Sequence, residues 1–243
     1  MPTGVRPLKR RNHTVNKSYL QRFADSSGRL TRVTLPGDVR VRMSVNDAAV
    51  VKNFYIVPLD DGSESDAAED VFGQVEGNAA TATRALVDKH AWPIPDDARI
   101  ALAEWVAVQY LRVPWVRQLT RELAEGLCGV GIPITTGSGE RVTIRMPAED
   151  VDRLSGPGLH LEFIQRQAAQ VVQMLYQRSW VLTFYERRSL ATSDTPVILR
   201  PAPDHRPGAG IGIANAGEIH VRSTGALPCP SAVPAAWTAG PRG

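Results

Sequence analysis

Apolar positions along this chain follow two periods, and the boundary between them falls near residue 67. Before it, alternation dominates. Leu30, Arg32 and Thr34 alternate with Thr31, Val33 and Leu35, and Val39, Val41 and Met43 alternate with Arg40 and Arg42. Each run is a strand with a polar face. Pro36-Gly37-Asp38 supplies a turn, which predicts a hairpin with its arginines gathered on the polar face. Ahead of it, Val15, Leu20, Phe23 and Ala24 share one side of a short helix. After it, SVND predicts another short helix, with Ser44 as N-cap and Asp47 at the capping-box position. Phe54-Tyr55-Ile56 reads as a short strand.

From residue 67 the period becomes helical. Val71, Val75, Ala79, Ala82 and Leu86 line one side of a helix over 67–90, which Pro93 and Pro95 end. A second long helix starts at Asp96 or Asp97. Its apolar set (Ile100, Leu102, Ala103, Val106, Ala107, Tyr110, Leu111) is broad enough to predict deep burial. Pro114 interrupts it, and WVRQLTRELAEGL continues. Residues 126–147 read as loop with a strand at VTIRM. A third long helix, over 158–178, turns Leu161, Ile164, Ala168, Val171, Val172 and Leu175 inward. WVLTFYE, PVILR and GEIHV then read as strands. The fold predicted is α+β: a central bundle of long helices with short strands contributed by the N- and C-terminal parts. Residues 1–11 form a basic arm, 12–222 a single domain, and 223–243 a poorly ordered tail of small residues and prolines.

Composition adds an asymmetry. The chain has 243 residues and a net charge of +3. Residues 1–42 carry ten bases and two acids, and the rest carries 18 bases and 23 acids, so a +8 end sits on a −5 body. Such an end suits a phosphate-bearing or other anionic partner, or it pairs with the acids of the body. Seven acids between Asp60 and Glu76 precede the next base, Arg84, and acids at a helix start favour its dipole. No apolar run approaches the roughly 18 residues of a membrane span, so no membrane partner is expected. Cys128 and Cys229 form no CxxC motif, which fits reduced thiols in a cytoplasmic protein.

Candidate chemistry is scattered. GAGIGIANAG has glycine spacing without a following helix, so it is not read as a nucleotide loop. His13 lies among bases whose field favours neutral imidazole, suited to a base or metal ligand, or to bonding backbone where an element begins. Glu76 sits mid-helix beside small residues and needs a partner if half buried. Arg112 is its natural mate, and at least one of Gln109 and Arg112 must point inward. Ser193 and Asp194 in TSDTP either cap a turn or place Asp194 at a strand end beside His13.

These positions coincide with a pattern. NHTVNKSYLQRFAD resembles the HxVPxxYLxxF opening of a bacterial domain-of-unknown-function family numbered 4238. NFY with an acidic helix after it (Glu69, Glu76), QYLRVP (Gln109, Arg112, Pro114), and Trp180 leading to TSDTPV match it in order over residues 12–222. Asn16 stands where the family usually has proline. The resemblance implies a set of positions and no established activity.

Three functions follow as expectations. The first is an enzyme or effector on RNA or DNA, of phosphodiesterase type. His13, Glu76, Arg112 and Asp194 would be catalytic, with Glu76 and Asp194 holding a divalent ion such as Mg or Mn. Arg10, Arg11, Lys17, Tyr19, Arg22, Gln109 and Ser193 would bind, the bases engaging phosphates. The second is a binding module in which the same residues form a buried structural network. The third is an enzyme on a small anionic substrate.

Overall fold

The computed structural model describes residues 6–145, 147, 156–185, 190–206, 208–223 and 235–240. Its centre is α3 (Asp96–Leu111), which is buried from Leu102 through Leu111 except at Glu104 and Tyr110. That breadth has a structural cause. α2 (Ala67–Thr83) packs on one side of α3, α5 (Pro157–Tyr176) on another, and strand β10 (Val197–Pro201) also touches it. A helix covered on several sides carries apolar residues around most of its circumference. Pro114 closes α3 and opens α4 (Pro114–Leu127), its missing N–H costing nothing at a first-turn position.

The long helices lie where their apolar period places them, with one change of face. α2 buries Phe72, Ala79 and Ala82, while Val71, expected inside, is 58% exposed. Phe72 wins because its ring packs on Tyr55, with centroids 4.9 Å apart. α2 then widens into a π-helical turn, Arg84–Asp88, instead of continuing as α-helix to residue 90.

The N-terminal half builds small two-stranded pairs: β1 (Arg11–His13) with β4 (Val50–Lys52), β2 (Arg29–Thr34) with β3 (Val39–Ser44), and β5 (Val57–Pro58) with β6 (Glu64–Ser65). Two local expectations are corrected here. SVND forms turns rather than a helix: the Ser44 hydroxyl accepts the Asn46 N–H, and Ala49 ends the segment with φ 53°. Residues 54–56 form a turn rather than a strand, because Asn53 adopts φ 57° and the Ile56 N–H closes back onto the Asn53 carbonyl. Short α1 (Lys17–Gln21) forms as expected, with the Asn16 side chain accepting the Tyr19 N–H at its start.

A fourth two-stranded pair, β7 (Ile132–Thr135) with β8 (Arg141–Ile144), follows α4. The C-terminal half forms a four-stranded antiparallel sheet in the order β10, β11 (Ala216–Arg222), β12 (Ala235–Gly240), β9 (Ser179–Phe184). β12 corrects the reading of a poorly ordered tail. AAWTAG has weak strand propensity, yet ladders on both edges, to β11 and β9, supply its backbone bonds. The rest of that tail from 224 lies outside the described residues, as does Cys229.

Candidate functional site

The opening stretch runs from strand to helix across the end of the α2–α3 pair, and its polar residues go inward. Asn12 is fully buried. Its amide donates to the Lys9 carbonyl and to Glu69 Oε1 (2.9 Å), and its Oδ1 accepts the Tyr55 N–H. Gln109 is also fully buried. Its Nε2 donates to the Thr14 carbonyl at 2.8 Å, and its Oε1 accepts both the Asn16 N–H and Arg112 Nη2. Arg112 donates through Nη1 to Glu76 Oε1 at 2.7 Å, and its side chain is 2% exposed against 25% for Glu76. One connected network therefore ties the first strand and helix to α2 and α3. The Glu76–Arg112 pair forms as the sequence led one to expect.

His13 lies beside this network. It is half-buried, and its pKa falls below the usual histidine value, chiefly because burial disfavours the charged ring. A hydrogen bond with the Val45 backbone and the charge of Glu76 oppose that shift, while Lys17 and Arg112 add to it. Neutral imidazole was expected from the neighbouring bases alone; burial is the larger cause. Its Nε2 is buried without a hydrogen-bond partner. Asp194 does not join: it is exposed in the turn before β10, where Ser193 Oγ donates to the Thr195 carbonyl. The metal pair expected at Glu76 and Asp194 thus has Glu76 held by an arginine and Asp194 in an exposed turn. Among the described residues no group of three or more His, Cys, Asp or Glu is placed to hold a metal ion.

The bases expected to hold an anion along the arm are engaged internally. Arg6 pairs with Asp66 and Asp70, Lys9 with Asp70, Arg10 with Glu64, and Arg11 with Asp47. Arg22 Nη2 reaches Asp88 at 2.6 Å. Lys17 is exposed on α1. Three of the four bases at 10–22 therefore meet carboxylates from different parts of the body, Arg10 at Glu64, Arg11 at Asp47 and Arg22 at Asp88, while Asp66 and Asp70 at the start of α2 take Arg6 and Lys9.

Tyr19, Arg22 and Glu76 instead help to line a cleft of about 150 Å³ between α1, α2 with its π turn, α3 and the end of β11. The Tyr19 ring packs on Trp105, with centroids 5.2 Å apart, and its hydroxyl lies 2.7 Å from Thr192 Oγ1. Burial raises the Tyr19 pKa well above its ordinary value. Ala79 and Ala80 form the α2 wall, and the π turn brings Arg84 and Asp88 to the rim. Asn16 completes it. Only 1% exposed, it uses Oδ1 for the Tyr19 N–H and the Ser18 hydroxyl (2.6 Å each), while its Nδ2 is buried without a partner. The set offers a carboxylate, an unused amide donor and a cation around an aromatic and small-residue wall.

Sequence reasoning did not single out Asn16, Arg84, Asp88 or Trp105 as site residues, because their convergence depends on how α1 crosses α2. It also missed His160, fully buried on α5. There Nε2–H donates to the Leu111 carbonyl (2.9 Å) and Nδ1 accepts Arg117 Nε (3.2 Å). Burial pushes His160 down to about 4 and Arg117 to about 10, which suits a neutral structural histidine.

The positions joined by this network are those that carry the family pattern. Residues 11–222 match the family described as Protein of unknown function (DUF4238). The chain belongs to that family. No curated protein and no solved structure matches the chain. In this DUF4238 member the HxVxxxYLxxF stretch places Val15, Tyr19 and Leu20 in the core, and QYLRVP supplies Gln109 and Arg112 to the network. Asn16, standing where proline is usual, caps α1 and donates its N–H to Gln109, a bond proline cannot form. Among the described residues no helix is long and apolar enough to cross a membrane.

Proposed function

We propose that the cleft beside Glu76 binds a small anionic molecule with a ring-sized body. The observation that carries this reading is Asn16, a residue of the cleft wall whose Nδ2 is buried without a hydrogen-bond partner. An unsatisfied buried amide costs about 1–3 kcal/mol, which a ligand acceptor would relieve. A space of about 150 Å³ is of the size that holds a benzene-like ring. Tyr19, Trp105, Ala79 and Ala80 give that ring apolar contact. Arg84 is exposed, with the Thr81 hydroxyl as its hydrogen-bond partner and no acid paired with it among the described residues, so it faces the anionic substituent. Glu76, its Oε1 on Arg112, lines the cleft and accepts a donor from the ligand. π turns recur at functional sites, and this one carries Arg84 and Asp88. The reading keeps the small anionic substrate and sets aside phosphodiesterase chemistry, because Glu76 is committed to Arg112.

Titration with mononucleotides, aromatic carboxylates and sugar phosphates, followed by tryptophan fluorescence with Trp105→Phe as control, tests it. At least one class should saturate. Asn16→Asp keeps the helix cap but removes the donor, and Arg84→Ala removes the cation; each should weaken binding about tenfold, the equivalent of one charge-assisted hydrogen bond. Absence of saturable binding from every class would sink the proposal.

A further inference from the structure

The segment RLTRVTLPGDVRVRMS folds as a two-stranded ribbon, β2–β3. Leu30 and Met43 pack against the core, and beyond them both faces are exposed. At about 3.3 Å per residue each six-residue strand is about 20 Å long. The register pairs Arg29 with Ser44, Thr31 with Arg42 and Val33 with Arg40, and residues directly opposite share a face. One face therefore carries Arg29, Arg42 and Arg40 in a row, stepping about 7 Å at a time along the ribbon. Arg32, opposite Val41, lies on the other face. The strands contain no acid. Among the described residues Arg29, Arg32 and Arg40 have no acidic partner, and Arg42 pairs with the exposed Asp25.

We infer that this face of the β2–β3 ribbon binds double-stranded DNA. A line of cations at regular spacing matches a linear polyanion. The ribbon has no aromatic residue on which the bases of a single strand could stack. The major groove of B-form DNA admits a two-stranded β-ribbon, whereas the deep, narrow major groove of duplex RNA does not. An anionic lipid surface fits less well. Entry by the tip would carry Asp38 toward lipid phosphates, and the arginine row runs along the ribbon rather than around its end. The inference is independent of the small-molecule cleft, which shares no residue with the ribbon.

Fluorescence anisotropy with a labelled 20-base-pair DNA duplex and the full chain tests it. Binding should be measurable at 50 mM salt and fall about 12-fold by 200 mM, as expected for about two phosphate contacts from Arg29 and Arg40, the cations of that face without an acidic partner among the described residues. Arg29→Ala with Arg40→Ala should reduce the logarithmic salt slope by about two and weaken binding at least tenfold. Arg32→Ala, on the other face, should change it less than threefold. Arg40→Lys should retain most binding. Circular dichroism keeps loss of fold distinguishable from loss of binding. Any of four results overturns the inference: no duplex binding at 50 mM salt; equal loss from Arg32→Ala; duplex RNA or single-stranded DNA bound as tightly as duplex DNA; or capture by phosphatidylserine vesicles without capture of the duplex.

Discussion

The N-terminal arm and the β2–β3 ribbon come from the same +8 end of the chain, and they dispose of their charge in opposite ways. The arm lies against the beginning of α2. Arg6, Lys9, Arg10 and Arg11 each meet a carboxylate, and Asp66, with an 8% exposed side chain, takes both the Arg6 guanidinium and the Lys9 N–H. The ribbon stands away from those acids, and three of its four arginines meet none among the described residues. Charge density along a sequence therefore says little about which cations are available. What decides is whether the acids of the body fold within reach, since opposite charges a few ångströms apart compensate each other before any ligand arrives.

That contrast can be broken by deleting charges one at a time. The largest cost should come from the most completely engaged cation. Arg112→Leu leaves Glu76 without its donor and Gln109 Oε1 with the Asn16 N–H alone, and chemical denaturation should show a loss of about 3 kcal/mol. Acidification gives the next effect. The folded-state pKa of His160 is lowered to about 4, below the ordinary value near 6.5, so its contribution is full above pH 6.5 and is lost as pH falls toward 4. Over that window up to about 3 kcal/mol should disappear in wild type. Urea titrations at pH 7, 5.5 and 4 should show a much flatter profile for His160→Gln. Asp66→Asn removes the charge that holds Arg6 and the arm to the start of α2, and thermal unfolding should register about 1–2 kcal/mol. Arg40→Ala should sit within about 0.5 kcal/mol of wild type, as for exposed side chains without partners. A loss above about 1 kcal/mol there would mean that the ribbon's charge is engaged after all, and the comparison with the arm would fail.

The same reasoning separates what could be read early from what could not. The three long helices were legible because their apolar period is sustained over many residues, and Arg112 was legible as a mate for Glu76 because an ionised group on the most apolar helix requires a partner. SVND was misread because Ser44 and Asp47 serve a turn as well as they serve a helix start, and the backbone at Ala49 chose the turn. The ribbon's arginines were assigned to one face, but the register puts Arg32 on the face opposite Arg40 and Arg42. Trp105 was hidden among apolar neighbours, and Asn16 looked like a local departure. Their roles appear only when α1 is laid across α2.

The sequence by itself determined the α+β class, the long helices and the strands at 179–184, 197–201 and 216–222, because apolar periodicity is a local property that one burial direction enforces. It also carried the ordered motifs of the DUF4238 family. Only the tertiary structure decided which cations are compensated, which face each arginine occupies, that 235–240 enters the sheet, and that Asn16, with an unused donor, lines the same cleft as Glu76. Those outcomes depend on contacts between residues tens to hundreds of positions apart, and no local pattern encodes the distance between them.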